Sequence, residues 1–206
     1  MDPVAFVVAE SPVTWTELIG DATALACVYL VARANPWNWP LGIANAVLFF
    51  FVFARARLYG NALLQIVFAL LNAYGWWAWT HGGALGGELP VRRATQTERA
   101  VYAVTSVAGT AAAALILAQQ TDSPAPTWDA AVLVLSLLAT WAQAEKVVES
   151  WWLWLAVDAI AVPLYLSRAL YPTALLYAFL LGLCVMGLRE WLRLLREQAP
   201  VPVTAS

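Results

Sequence analysis

Seven long apolar runs, separated by short polar breaks, make up almost the whole chain. They cover Trp15 to Arg33, Trp39 to Ala54, Leu58 to Trp79, Glu98 to Ala118, Trp128 to Glu145, Ser150 to Leu166 and Tyr171 to about Leu195. At roughly 15 to 25 residues each, all can cross a bilayer as helices, the shortest with help from interfacial anchors. Asn35-Pro36 stops the first, because proline has no backbone donor and its predecessor avoids the helical region. Pro40 is tolerable in the first turn of the second. Arg55 and Arg57 follow that run, Gly82-Gly83 ends the third, Asp122 to Thr127 precedes the fifth, and Lys146 and Glu149 precede the sixth. Thr97 before Glu98 predicts a capped start for the fourth helix, with an acid in its first turn.

The predicted organisation is an N-terminal segment (1–14), a three-helix unit (15–81), a loop (82–97), a linker helix (98–118), a second three-helix unit (128–196) and a disordered tail (197–206). The N-terminal segment lacks the positive n-region of a signal peptide. The fourth run is rich in Ala, Val, Gly and Thr and has no Trp, so it reads as a linker packed between larger units.

Polar residues inside the runs carry the functional information. Gln65, Phe68, Asn72, Trp76 and Trp79 follow one another at offsets of three, four, four and three, which puts them on one stripe of a helix. An amide and aromatic seam on an otherwise apolar helix suits the wall of a substrate pathway, although an Asn or Gln also serves to staple neighbouring membrane helices. Trp151, Trp154, Asp158 and Tyr165 form a second stripe. A carboxylate near the middle of a span is disfavoured by about 2.5 to 3.5 kcal/mol on insertion scales, so Asp158 needs a compensating partner, either a substrate or a hydrogen bond between helices.

The two stripes belong to an internal repeat. A shift of 112 positions lays Leu58-Tyr59 on Leu170-Tyr171, Ala62 on Ala174, Leu71 on Leu183, Gly75 on Gly187 and Trp79 on Trp191, and sets Tyr177 opposite Gln65. With one residue of slippage, Trp39 lies on Trp152 and Asn45 on Asp158. The first and fifth runs correspond only by continuation. The predicted fold class is an all-α integral membrane protein with seven transmembrane helices in a 3+1+3 arrangement. The odd helix between the units gives them the same orientation, as parallel repeats with the substrate site between them near mid-membrane.

Composition agrees: the chain of 206 residues is 62% hydrophobic and 12% charged, far below the roughly 25% charged of a soluble domain. A net charge of −2 with no basic cluster gives no reason to expect a nucleic acid partner. With the N-terminus outside, eight of the 11 basic residues fall on the inner side and Arg55, Arg57 and Arg168 on the outer, which predicts a cytoplasmic C-terminus. Cys27 and Cys184 lie inside spans and read as small apolar fillers, with no disulfide expected.

The run Gln65…Asn72-Ala-Tyr74-Gly75-Trp76-Trp77-Ala-Trp79, with Glu149-Ser-Trp151-Trp152-Leu-Trp154…Asp158…Pro163-Leu-Tyr165 and Gly187…Trp191, resembles the Pnu family of bacterial vitamin transporters over nearly the whole chain. The resemblance implies a fold related to SWEET transporters and facilitated diffusion of nicotinamide riboside across the inner membrane, with trapping by cytoplasmic phosphorylation. It also implies a homo-oligomer, as a trimer, with no cofactor. Gln65, Asn72, Tyr74 and Gly75 match the family pattern position by position, whereas Asp158 stands where Asn is also acceptable.

The residues suit that substrate, a flat pyridinium cation with a carboxamide and a ribose. The candidate substrate-binding set is Asn45, Gln65, Phe68, Asn72, Tyr74, Trp76, Trp151, Trp154, Asp158, Tyr165 and Tyr177. Aromatic faces hold a cationic ring by stacking and cation–π attraction, amides serve the carboxamide or ribose, and Asp158 offsets the charge. No arginine is expected in the pathway, which argues against phosphorylated nucleotides. Thiamine, riboflavin or a sugar are alternative cargoes. A retinal sensor would need a mid-span lysine, whereas the only lysine is Lys146 in a predicted loop; an intramembrane enzyme lacks support because the only histidine is His81 at the end of a span, which also leaves no expected metal site.

Overall fold

The computed structural model describes residues 4–8, 11–55, 57, 59–121 and 124–198. It opens with a two-stranded antiparallel hairpin, β1 (Val4–Val8) and β2 (Ser11–Thr14), in which Val4 pairs with Thr14 and Val8 with Ser11. The hairpin qualifies the all-helical expectation; valines, Phe6 and Thr14 are residues that pleated strands favour. Seven helices follow: α1 (Trp15–Ala32), α2 (Asn38–Arg55), α3 (Tyr59–His81), α4 (Gln96–Gln120), α5 (Pro126–Ala144), α6 (Ser150–Ser167) and α7 (Tyr171–Glu197). Helices α2 to α7 are each long and apolar enough to cross a membrane, and α1 adds the apolar stretch Leu18–Ala32. This is a multi-pass membrane protein.

Helix ends fall within about two residues of the sequence reading, and side-chain contacts account for the shift at two of them. Helix α4 is capped by Thr95 rather than Thr97: the Thr95 hydroxyl accepts from the Glu98 backbone N–H while the Glu98 carboxylate accepts from the Thr95 backbone N–H. That reciprocal box needs the acid three residues after the cap, which Thr95 satisfies and Thr97 does not. Helix α7 runs on through Glu197, held by Arg193 to Glu190 at 2.7 Å and to Glu197 at 2.8 Å, so the expected tail loses its first residue to the helix. The rest of that expected tail, from Ala199, lies outside the described residues.

Helix packing forms a closed ring. Helix α1 packs on α2, α2 on α3, α3 on α5, α5 on α6, α6 on α7, and α7 returns to α1, whereas α4 packs on α5 outside the ring. Helix α4 therefore presents Val101, Val104, Val107, Leu115 and Ile116 as an exposed apolar face, as hydrocarbon surroundings allow.

The backbone repeats itself at the helix ends. After α1, Ala34 takes φ 51°, with Ala34 N–H to Val31 O at 2.8 Å and Asn35 N–H to Leu30 O at 2.9 Å. After α5, Lys146 takes φ 48°, with Lys146 N–H to Gln143 O at 3.0 Å and Val147 N–H to Ala142 O at 2.9 Å. Both are Schellman stops, in which a left-handed residue turns the chain back onto its last carbonyls. The remaining described non-glycine residues of positive φ are Ala169 at 56°, which closes α6 with both bonds (Ala169 N–H to Leu166 O at 3.1 Å and Leu170 N–H to Tyr165 O at 3.0 Å), and Arg57 at 60°, whose N–H reaches Ala54 O at 3.1 Å after α2. Each pair is 112 residues apart, which extends the correspondence to α1 and α5, where Leu25/Leu137 and the buried Ala32/Ala144 are the identical pairs.

Candidate functional site

Four indoles close one end of the ring. Trp39 of α2 meets Trp79 of α3 edge-on at 5.3 Å and 86°, and Trp151 of α6 meets Trp191 of α7 at 5.5 Å and 87°. Trp79 and Trp191 then touch each other at 5.8 Å, which makes one chain of rings. Trp79 Nε1 donates to Gln143 O and Trp191 Nε1 to Val31 O, both at 3.0 Å, so each indole seals the end of the neighbouring helix from the other half of the ring. Gly75 and Gly187 make room: a Cβ would lie 2.6 Å from the Trp39 ring at the first and 2.2 Å from the Trp151 ring at the second. The counterpart of Trp39 is thus Trp151, at the same shift of 112 as every other match. The slippage read from the sequence is not needed, and Asp158 corresponds to Ala46 rather than Asn45.

Above this floor lies a cavity of about 280 Å³, walled by all six ring helices. Asn45, Gln65, Phe68 and Asn72 line it from α2 and α3, and Trp151, Trp154, Asp158 and Tyr177 from α6 and α7. Asp158 is 2% exposed and accepts a hydrogen bond from the Cys184 thiol at 3.3 Å. No lining residue is basic, and among the described residues Asp158 takes part in no ion pair. Trp154 is fixed by its Nε1, which donates to Gln143 Oε1 at 2.7 Å. Asn72 donates to Phe68 O at 2.7 Å and Asn45 to Thr23 Oγ1 at 2.6 Å. The indole N–H groups of Trp39 and Trp151 are buried with no hydrogen-bond partner among the described residues.

Charges gather beyond the floor. The Lys146 ammonium sits 4.6 Å over the Trp79 ring, and burial pushes its pKa down while Glu88 opposes the shift. Arg92 grips Glu98 through two hydrogen bonds of 2.8 and 2.9 Å and reaches Glu145 at 3.5 Å, and its pKa is raised above the usual value, most of all by Glu98. The Arg92 backbone pairs with the α5–α6 turn, its N–H on Lys146 O and its O on the Val148 N–H. The segment after α3 is thus tied to the second half of the ring.

Residues 14–193 match the family model described as "Nicotinamide mononucleotide transporter". The chain belongs to that family. It is 32% identical over 201 residues, 96% of this chain and 94% of the relative, to a riboflavin/roseoflavin transporter, RibM, of Streptomyces davaonensis. It is 28% identical over 210 residues, 90% of this chain and 88% of the relative, to the nicotinamide riboside transporter PnuC of Escherichia coli. The crystal structure of a vitamin B3 transporter PnuC superposes with a TM-score of 0.71 at 23% identity, over 90% of this chain and 83% of that one, and shares its fold.

Within this transporter-family fold, three residues of the sequence-derived set lie off the cavity wall. Tyr74 faces α5, donating its hydroxyl to Glu145 and stacking on Trp141 at 5.1 Å and 5°. Trp76 is 46% exposed on the outer side of α3. The inward stripe of α3 runs Gln65, Phe68, Asn72, Gly75, Trp79, at offsets of three, four, three and four; the third step falls on the glycine that receives Trp39. Tyr165 packs on Tyr177 at 5.2 Å, behind the wall. The wall also contains Cys27, Asn38, Trp39, Gly42, Thr140, Gln143 and Cys184, which sequence reasoning missed. A shift of 112 without slippage would have found Trp39 from Trp151.

Proposed function

We propose that the protein is a uniporter for nicotinamide riboside in a bacterial inner membrane, its N-terminus outside and its C-terminus cytoplasmic, with phosphorylation inside the cell trapping the cargo. The observation that carries the choice of cargo is Asp158: a carboxylate 2% exposed, in a cavity without a basic residue among its lining. A buried carboxyl needs a counter-charge to be held ionised, and a pyridinium supplies one. Trp154 and Phe68 offer ring faces to the same cation, and Gln65 and Asn72 offer amides to its carboxamide and ribose.

The recurrence of φ angles, helix stops and indole contacts at a spacing of 112 supports two parallel three-helix repeats with α4 as linker, a SWEET-like arrangement in which one unit rocks against the other. The distribution of arginine and lysine supports the orientation. The resemblance to the Pnu family supports a homo-oligomer, which we take to be a trimer.

The second reading is riboflavin, favoured by the Streptomyces relative at 32% identity. Titration calorimetry and uptake into proteoliposomes, with nicotinamide riboside and riboflavin as alternative ligands, separate the two. Asp158→Asn is expected to weaken nicotinamide riboside about 30-fold, roughly 2 kcal/mol, and to leave a neutral flavin almost unaffected. Tight riboflavin binding that excludes nicotinamide riboside would reverse the assignment. Uptake that depends on an imposed proton or sodium gradient would remove the uniport element.

A further inference from the structure

Gln143 is the last polar residue of α5 before its left-handed stop, and it is 8% exposed. Its backbone carbonyl accepts from Trp79 in the floor at 3.0 Å, and its side-chain Oε1 accepts from Trp154 in the wall at 2.7 Å. An indole without a partner on its N–H keeps rotamer freedom in a cavity of this size, and each orientation presents a different face to a ligand. Fixing Trp154 before the ligand arrives removes that ordering cost from binding. At the equivalent place in the first half, 112 positions earlier, Val31 and Gly42 stand where the second half has Gln143 and Trp154, so the arrangement exists on one side only.

We propose that Gln143 is a positioning residue for the ligand: it aims the Trp154 ring at the cavity and thereby sets affinity for a flat aromatic cargo. This rests on the cavity being the substrate site, as argued above. Gln143 itself lines the cavity, so its coupling to Trp154, rather than the size of its own effect, identifies the positioning role; its backbone bond to Trp79 survives side-chain replacement.

The test is a double-mutant cycle on the full-length protein in detergent, with nicotinamide riboside as probe and calorimetric Kd as readout. Gln143→Met keeps the side-chain length and removes the acceptor. Trp154→Phe keeps an aromatic face and removes the N–H. Gln143→Met is expected to weaken binding about tenfold in the parent and less than about twofold in the Trp154→Phe background, because a bond already absent cannot be lost again. A role confined to holding the fold, or a direct contact between Gln143 and the ligand, would cost the same in both backgrounds, and that result overturns the proposal. So does a change below twofold in the parent. Trp154→Ala and Asp158→Asn, run alongside, separate the two levels of argument: if both bind as the parent does, the cavity is not the site, whereas if they lose affinity and Gln143→Met does not, only the positioning role falls.

Discussion

The α1–α3 side of the cavity and the α5–α7 side share a backbone plan and differ in chemistry. The same left-handed helix stops, the same glycine under an indole and the same crossing Trp-to-carbonyl bond occur in each, 112 residues apart. At matched wall positions, however, Gly42 stands against Trp154, Ala46 against Asp158, Gln65 against Tyr177 and Asn72 against Cys184. One side offers amides and space, the other rings and a carboxylate. Residues that build the floor are constrained by packing and stay alike, whereas residues that face the cavity are constrained only by what occupies it and can diverge.

If that division is real, moving the charge across the cavity should not restore function. Asp158→Ala is expected to cost on the order of 30-fold in affinity for nicotinamide riboside, and adding Ala46→Asp is expected not to recover it, because Trp154 stands on α6 with Asp158 whereas Gly42 holds the matched place on α2 beside Ala46. Recovery in the double variant, read by calorimetry, would show the two walls to be interchangeable. The floor predicts the opposite behaviour. Gly187→Ala and Gly75→Ala should both lower thermal stability by about 1 to 3 kcal/mol, the former more, since their methyls meet Trp151 and Trp39 rings at 2.2 and 2.6 Å. Gly182→Ala, with no atom within 4 Å, is the control and should be neutral or stabilising by about 0.5 to 1 kcal/mol. The smallest effect concerns the crossing bonds: Trp79→Phe and Trp191→Phe each remove one N–H from a buried carbonyl, at about 1 kcal/mol. Melting curves that separate these two variants by much more than the error would break the equivalence of the two halves.

Much of the plan was legible in the chain. Seven apolar runs of bilayer length gave the helices to within a few residues, and the Gly75/Gly187 and Trp79/Trp191 matches pointed to the repeat. The slip assigned at Trp152 came from matching Asn45 to Asp158 by polarity, when the two polar residues occupy neighbouring rather than equivalent positions. Trp76 was drawn into the stripe because tryptophan looks more like a wall than glycine does. Gly75 faces inward because Trp39, from another helix, fills the volume its missing side chain leaves.

Length, hydropathy and period are local properties, set by how each segment meets lipid and by its own backbone hydrogen bonds, so the sequence alone determined that this chain is a multi-pass membrane protein built of seven apolar helices. Which side chain of a stripe lines the cavity, that Gln143 holds Trp154, and that Asp158 is enclosed without a basic neighbour depend on contacts between helices up to 160 residues apart in the chain. Those contacts are chosen by volume and hydrogen-bond geometry across the ring, and only the tertiary structure decides them.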